Sequence, residues 1–529
     1  MNRKSEAMGY RGAVSSAHPL ATLAGIDVLR SGGSAVDATI ATNAVLGVTQ
    51  PDMCGIGGDL FTLVYEAKTG KVHFLNASGP WSKAHGREQV LGRYAKMPLR
   101  GPWTVTVPGT VSGWAKMHER FGKQSWGSLF NAAIAYAEAG FAVSRRVAKS
   151  TADVQSILAR DPGASRVYLS QGRPPMASER LVQRDLADTM RRIGQDPRDF
   201  YEGQTAKQIA AFMQAVDGPL TYDDLKSYEA QWSLPLRFDY RGYTLYETGD
   251  NTQGFVALVA LGLLAQLDLE GMAPDSDLYL HLLVEAKKLA FADRRDYLTD
   301  PAFSPLPFAE LMAPSRLKEQ AAKINSEKVL PTDTYGSVTG DTTAFSVVDA
   351  EGNMVSAIQS IFFAYGSGLV VPDTGICLQN RGAYFSLEED HVNRLEAGKR
   401  TAHTLMAGMM FEGTTPVLSF STMGADGQAQ IHLQVLSRML DFDQSLLEAI
   451  DAPRFVHGPI EPRSREVRLL MEDDFGVQAE RLGQKGHLVE IKAYGESVFG
   501  HAQGIYRDPV TGAYVAVADP RGDGAALAW

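Results

Sequence analysis

The sequence predicts an α/β protein in which two sheets pack face to face beneath outer layers of helices, a four-layer αββα sandwich. Three observations carry this expectation. Strand-like segments gather in the second half of the chain, at a hairpin over 344–358 and near 415–421 and 504–518. Helical periodicity runs through 125–160, 204–216, 276–298 and 430–446, before and after those strands. The 529 residues are 44% hydrophobic, enough to bury a substantial core. No fixed-period repeat and no Pro- or Ser-rich linker divides the chain, although its length fits either one large unit or two to three average domains.

Taken in order, Ser34-Ala-Val-Asp37 forms a capping box that opens a mostly apolar helix to Leu46, and Pro51 ends it. Cys54-Gly-Ile-Gly-Gly58 permits close backbone approach. It lacks the Lys-Ser/Thr of a phosphate-binding loop and precedes, rather than follows, the strand Leu60–Tyr65, so it is read as a tight turn. The most apolar stretch, Phe255–Leu267, is too short to span a bilayer. Leu278, Leu282, Leu289 and Ala292 recur at helical spacing among charged Glu285, Lys287, Lys288, Asp293 and Arg294. From 317 to 340 the chain is polar and turn-rich, a mobile connection. Ala344–Val348 and Met354–Ile358 then flank the turn Asp349–Asn353, and Asp508–Gly512 breaks the last strand region.

A net charge of −10 without basic runs excludes a nucleic-acid backbone as partner. Two cysteines, Cys54 and Cys377, make no disulfide framework or metal spacing, and the polar opening residues lack the apolar core of a secretory signal, so the expected location is cytoplasmic. The eleven histidines show no ligand-like cluster in the sequence, and no metal or organic cofactor is expected.

Gly340-Asp341-Thr342-Thr343 places a hydroxyl between that connection and a buried strand. A threonine that begins a chain carries its own base, because its α-amine has a pKa near ~8. A Thr-Thr pair opening a strand is otherwise ordinary β-propensity. The chain resembles the γ-glutamyltranspeptidase family of amino-terminal-nucleophile hydrolases over nearly its whole length. The resemblance lies in Gly32-Gly-Ser-Ala-Val-Asp-Ala38, Pro51 to Gly58, Val107-Pro-Gly-Thr-Val-Ser-Gly113, Glu285-Ala-Lys287 with Arg294, Asp341-Thr-Thr-Ala-Phe-Ser-Val-Val-Asp349, Asp451-Ala-Pro-Arg-Phe455 and Ala518-Asp-Pro-Arg521. It implies the αββα fold of that class and cleavage between Asp341 and Thr342. The resulting fragments, 1–341 and 342–529, would stay paired as a heterodimer, with further dimerisation open. It also implies Thr342 as nucleophile, Thr343 and Ser360 as hydroxyls bonding the nucleophile or its amine, and the Gly424-Ala425 amides as oxyanion donors.

The pocket positions depart from a glutamyl site, which must hold both a carboxylate and an ammonium. Asn76 stands where transpeptidases carry a carboxylate-binding Arg, and Arg381 and Tyr384 where they carry an amide or acid and then an Asp. Phe362 replaces a polar residue, and His403-Thr404 replaces a Ser-Ser pair. The pattern resembles the subgroup of oxamate amidohydrolases and cephalosporin acylases. It leads to the expectation of a small carboxylate-bearing amide as substrate, oxamate first, with Arg381 and His403 on the carboxylate and a shallow pocket under Phe362 and Tyr384. A structural ion pair is the other role for Arg381. The alternatives are γ-glutamyl transfer or glutathione hydrolysis with Glu388, Glu389 or Asp390 meeting the ammonium, a glutaryl-type acylase, and an uncleaved binding homologue.

Overall fold

The computed structural model describes residues 6–169, 171–331, 340–459, 464 and 466–529. Two seven-stranded antiparallel sheets form its centre. One runs from edge to edge as Ala525–Ala528, Ala13–Ser16, Asp341–Val348, Met354–Phe362, Asp59–Glu66, Lys71–Ala77 and Gln231–Ser233. The other runs as Ala7–Gly9, Tyr514–Ala518, Ala502–Arg507, Thr415–Thr422, Ala407–Glu412, Tyr243–Glu247 and Leu236–Tyr240.

Alternation along the strands sorts the layers. Val355, Ala357 and Ile361 join Phe345 and Val347 in a core shared with the helices Pro19–Arg30 and Ala35–Thr49. Met354 and Ile358 turn the other way and meet Met409, Phe411 and Ile505 between the sheets. That inter-sheet layer also holds serines, and each finds a partner: Ser419 donates to Ser346 at 2.9 Å and Ser356 to the Phe420 carbonyl at 3.0 Å. Gly254–Leu264, Asp277–Tyr297 and Gln428–Phe442 cover the outer face of the second sheet. The four layers predicted from the sequence are thus present.

Locally, the capping box closes as expected, with Ser34 accepting from Asp37 N at 3.1 Å and Asp37 accepting from Ser34 N at 2.9 Å. The helical region 125–160 is instead broken into short pieces, one boundary being Gly140 at φ +81°. The polar region 317–340 begins inside a helix, Pro314–Ala321, whose Leu317 and Ala321 lie one turn apart and are buried against the second helical layer. Residues 332–339 of that expected connection lie outside the described residues.

Candidate active site

The hairpin sets out the centre of the site. Asp341 pairs with Phe362 and Thr343 with Gln359, so the register shifts here and two residues, Ser360 and Ile361, bulge opposite Thr342. Thr342 is 2% exposed. Its Oγ donates to the Asp341 carbonyl oxygen at 2.7 Å, and Ser360 Oγ donates to the same oxygen at 2.6 Å. One hydroxyl is therefore beside the carbonyl it would attack while another polarises it. Ser360 Oγ also accepts from Phe362 N at 2.7 Å, and Thr343 Oγ reaches the Gln359 carbonyl at 3.5 Å. The glycine turn at 54–58 backs this hairpin: a Cβ on Gly58 would lie 2.3 Å from the Ser360 carbonyl oxygen. Gln359 clasps the turn by accepting from Gly55 N at 3.2 Å and donating to Gly55 O.

Opposite, the second sheet contributes the turn that follows Thr415–Thr422. Gly424 has φ +134° and Ala425 φ +47°. Gly427 N donates to Gly424 O at 2.7 Å, which points the Gly424 carbonyl inward to the turn and the Ala425 N–H the opposite way. A Cβ on Gly340 would stand 2.9 Å from Ala425 Cβ, so the turn abuts the chain just before Asp341 and Thr342.

A third group surrounds Arg381, which is 1% exposed. Its Nη1 donates to Thr404 Oγ at 3.1 Å, and the Phe362 ring lies 4.0 Å from the guanidinium carbon. Nε and Nη2 have no hydrogen-bond partner among the described residues. Burial pulls this guanidinium down to about 10, with Asp59 acting against the shift. Phe362 holds φ +81°, a strained conformation for an aromatic residue, and meets the Tyr384 ring edge-on at 5.7 Å. Tyr384 donates to Asp426 Oδ1 at 2.9 Å, and Arg294 bonds both Tyr384 and Asp426.

Two of the residues singled out in the sequence are spent on internal bonds. His403 Nδ1 accepts from Leu405 N at 3.3 Å, so Nε2 carries the proton and donates to Asp59 Oδ2 at 3.1 Å. Burial, then Arg381, hold this imidazole well below its ordinary pKa, and it is neutral. Asn76 donates to Asp250 at 3.0 Å and Asn251 at 2.9 Å and accepts from Ser78 N and Oγ. Glu388, Glu389 and Asp390 are exposed.

The carboxyls near the site are unusual. Burial pushes Asp341 up to about 7, with Asp52 adding to the rise and Arg100 opposing it. Burial also raises Asp52 to about 6 and Asp59 to about 7, the latter against Arg381 and bonds from Gln379 and Gly79. Asp59, Asp52 and Gln253 were not legible as site residues. Gln253 donates to Thr404 O at 2.5 Å and to Ala425 O at 2.9 Å, contacts 151 and 172 residues away along the chain. No local pattern signals them.

One histidine cluster corrects the sequence reading. His281 and Glu285, one turn apart, meet His487 from a distant segment, with ligand-type atoms within 4.8 Å of one another. Glu285 accepts from Lys288 Nζ at 2.6 Å and Leu330 N at 2.6 Å. His281 Nε2 donates to Asn325 O at 2.7 Å, which leaves Nδ1 to accept from His487 at 2.8 Å. Both ring nitrogens of His281, both oxygens of Glu285 and Nε2 of His487 are engaged and Lys288 supplies the positive charge, so the donor set fits a clamp on 325–330 rather than a cation. A cavity of about 700 Å³ is lined by Lys116, Arg198, Tyr201 and Tyr228, and Thr342 is not part of its lining.

A family model described as gamma-glutamyltranspeptidase matches residues 21–529. The chain is 39% identical over 523 residues to the glutathione hydrolase-like YwrD proenzyme of Bacillus subtilis, covering 98% of this chain and 99% of that protein. It is 36% identical over 524 residues to the oxamate amidohydrolase proenzyme of Klebsiella pneumoniae, covering 97% of each. The crystal structure of a cephalosporin acylase from Bacillus halodurans matches with a TM-score of 0.93 at 35% identity, over 100% of this chain and 98% of that one.

Proposed function

The chain belongs to the γ-glutamyltranspeptidase family and is an enzyme acting on carbon–nitrogen amide bonds; from that premise we propose that it cleaves itself before Thr342 and then hydrolyses oxamate to oxalate and ammonia. The observation that carries the substrate is Arg381. A buried guanidinium needs a counter-charge, and its unpartnered Nε and Nη2 form the edge that grips a carboxylate through two parallel bonds. Oxamate offers one planar carboxylate directly beside a primary amide, and the aromatic roof of Phe362 and Tyr384 suits so short an acyl group. The oxamate amidohydrolase relative supports the same reading.

In maturation, Thr342 Oγ attacks the Asp341 carbonyl carbon, the Asp341–Thr342 C–N bond breaks and the nitrogen takes the hydroxyl proton. Water then opens the ester to a carboxylate on Asp341 and a free Thr342 amine. In turnover, that amine takes the Oγ proton, Oγ adds to the amide carbon, ammonia leaves with the proton, and water hydrolyses the acyl ester. The Ala425 N–H, with Gly424, stabilises the oxyanion, and Thr343 and Ser360 orient the nucleophile. The fragments 1–341 and 342–529 remain paired because strands of both are hydrogen-bonded side by side within each large sheet. No helix among the described residues is long and apolar enough to cross a membrane. Cys54 and Cys377 are buried and free, which favours a reducing, cytoplasmic setting.

Ammonia release from oxamate, measured beside γ-glutamyl and glutaryl anilides, tests the proposal. Brisk turnover of the glutamyl compound with oxamate untouched would overturn it.

A further inference from the structure

We infer that Gln253 is a positioning residue that sets the spacing between the arginine site and the oxyanion turn. The inference rests on the reading of Arg381 as the carboxylate site. Gln253 is fully buried and immediately precedes Gly254–Leu264, a helix whose residues are all buried, so its base does not shift. One planar carboxamide nitrogen donates in two directions: to Thr404 O at 2.5 Å and to Ala425 O at 2.9 Å. Thr404 is the residue whose hydroxyl accepts from Arg381, and Ala425 is the second residue of the oxyanion turn. Among the hydrogen bonds of the described residues, this one side chain ties the support of the cation directly to the proposed oxyanion turn, which abuts Gly340.

The neighbouring backbone is pinned to the same segment, since His403 N donates to Asn251 O at 2.7 Å and Thr252 bridges His403. Thr404 therefore has an independent tether, whereas the Ala425 carbonyl takes its bond from Gln253. Both acceptors lie in 342–529 and the donor lies in 1–341, so the spacing is set across the two proposed fragments.

Spacing matters most for a two-carbon acyl group. Its carboxylate carbon is bonded directly to the attacked carbon, and no torsion alters their separation. With the carboxylate held on Arg381, a turn displaced by about 1 Å costs about 10²-fold in rate. Longer acyl chains absorb the same displacement by rotating about C–C bonds.

The test uses the mature enzyme carrying Gln253→Glu, which keeps the side-chain shape and removes the amide donors, and Gln253→Met as an uncharged second variant. The readouts are fragment formation on a denaturing gel, kcat for oxamate and competitive inhibition by oxalate. The expected result is wild-type fragments, oxalate inhibition within threefold of wild type, and kcat reduced about 10²-fold. A kcat within threefold of wild type in both variants overturns the inference. So does a parallel loss of oxalate inhibition and kcat, which marks a general structural role, and so does failure of both variants to cleave, which assigns Gln253 to maturation. If Arg381→Ala leaves oxalate inhibition unchanged, the carboxylate reading fails instead, and the two failures are told apart.

Discussion

Arg381→Ala tests the substrate reading most directly. The guanidinium is 1% exposed, spends only Nη1 on the protein and leaves Nε and Nη2 for a ligand. A hydrogen bond to a charged group contributes roughly 1.5–3 kcal/mol, so losing a bidentate pair costs about 3–6 kcal/mol, in line with the cost of truncating a buried charge pair. At about 1.4 kcal/mol per tenfold, kcat/KM for oxamate falls roughly two to four orders of magnitude. The bonds exist in the ground state as well as the transition state, so the loss appears chiefly as a higher KM. Arg381→Lys restores the charge without the fork and recovers only part of it. The assay is initial-rate ammonia release by variants shown on a gel to have cleaved. A kcat/KM within threefold of wild type would refute the reasoning and return Arg381 to a structural role.

Three further outcomes follow from the geometry. Ser360→Ala removes a donor 2.6 Å from the Asp341 carbonyl oxygen and should slow self-cleavage about 10²–10³-fold, seen as persistence of the 57.4 kDa chain on a time-resolved gel; an unchanged half-time removes Ser360 from the reaction. Asp341 sits at about 7 when folded against an ordinary 3.8, so between those values the folded chain holds a proton that the unfolded chain has released and stability falls as pH rises. In the uncleavable Thr342→Ala background, Asp341→Asn should flatten the decline in Tm between pH 4.5 and 7.5, and parallel curves would contradict the assignment. Phe362→Gly relieves a φ of +81°, a strain of about 1–3 kcal/mol, and uncovers Arg381; relative turnover of glutaryl over oxamyl amides should rise, and an unchanged ratio would free Phe362 of any part in limiting acyl length.

The elements legible in the sequence are those governed by near neighbours. The capping box at Ser34 and the hairpin around Asp349–Asn353 each rest on residues a few positions apart. The helix Pro314–Ala321 escaped because its two anchors, Leu317 and Ala321, gain their meaning only from the helices they pack on. His281, Glu285 and His487 escaped for the same reason, since 206 residues separate the two histidines.

The sequence by itself determined the layered fold class, the family likeness and the placing of Thr342 at the head of a buried strand, because periodicity, turn chemistry and motif are local properties of the chain. Only the tertiary structure decided which polar atoms are still unspent. It leaves His403 neutral against Asp59, exhausts the amide of Asn76 and keeps one edge of Arg381 open, because a hydrogen bond's partner is chosen by packing among distant segments.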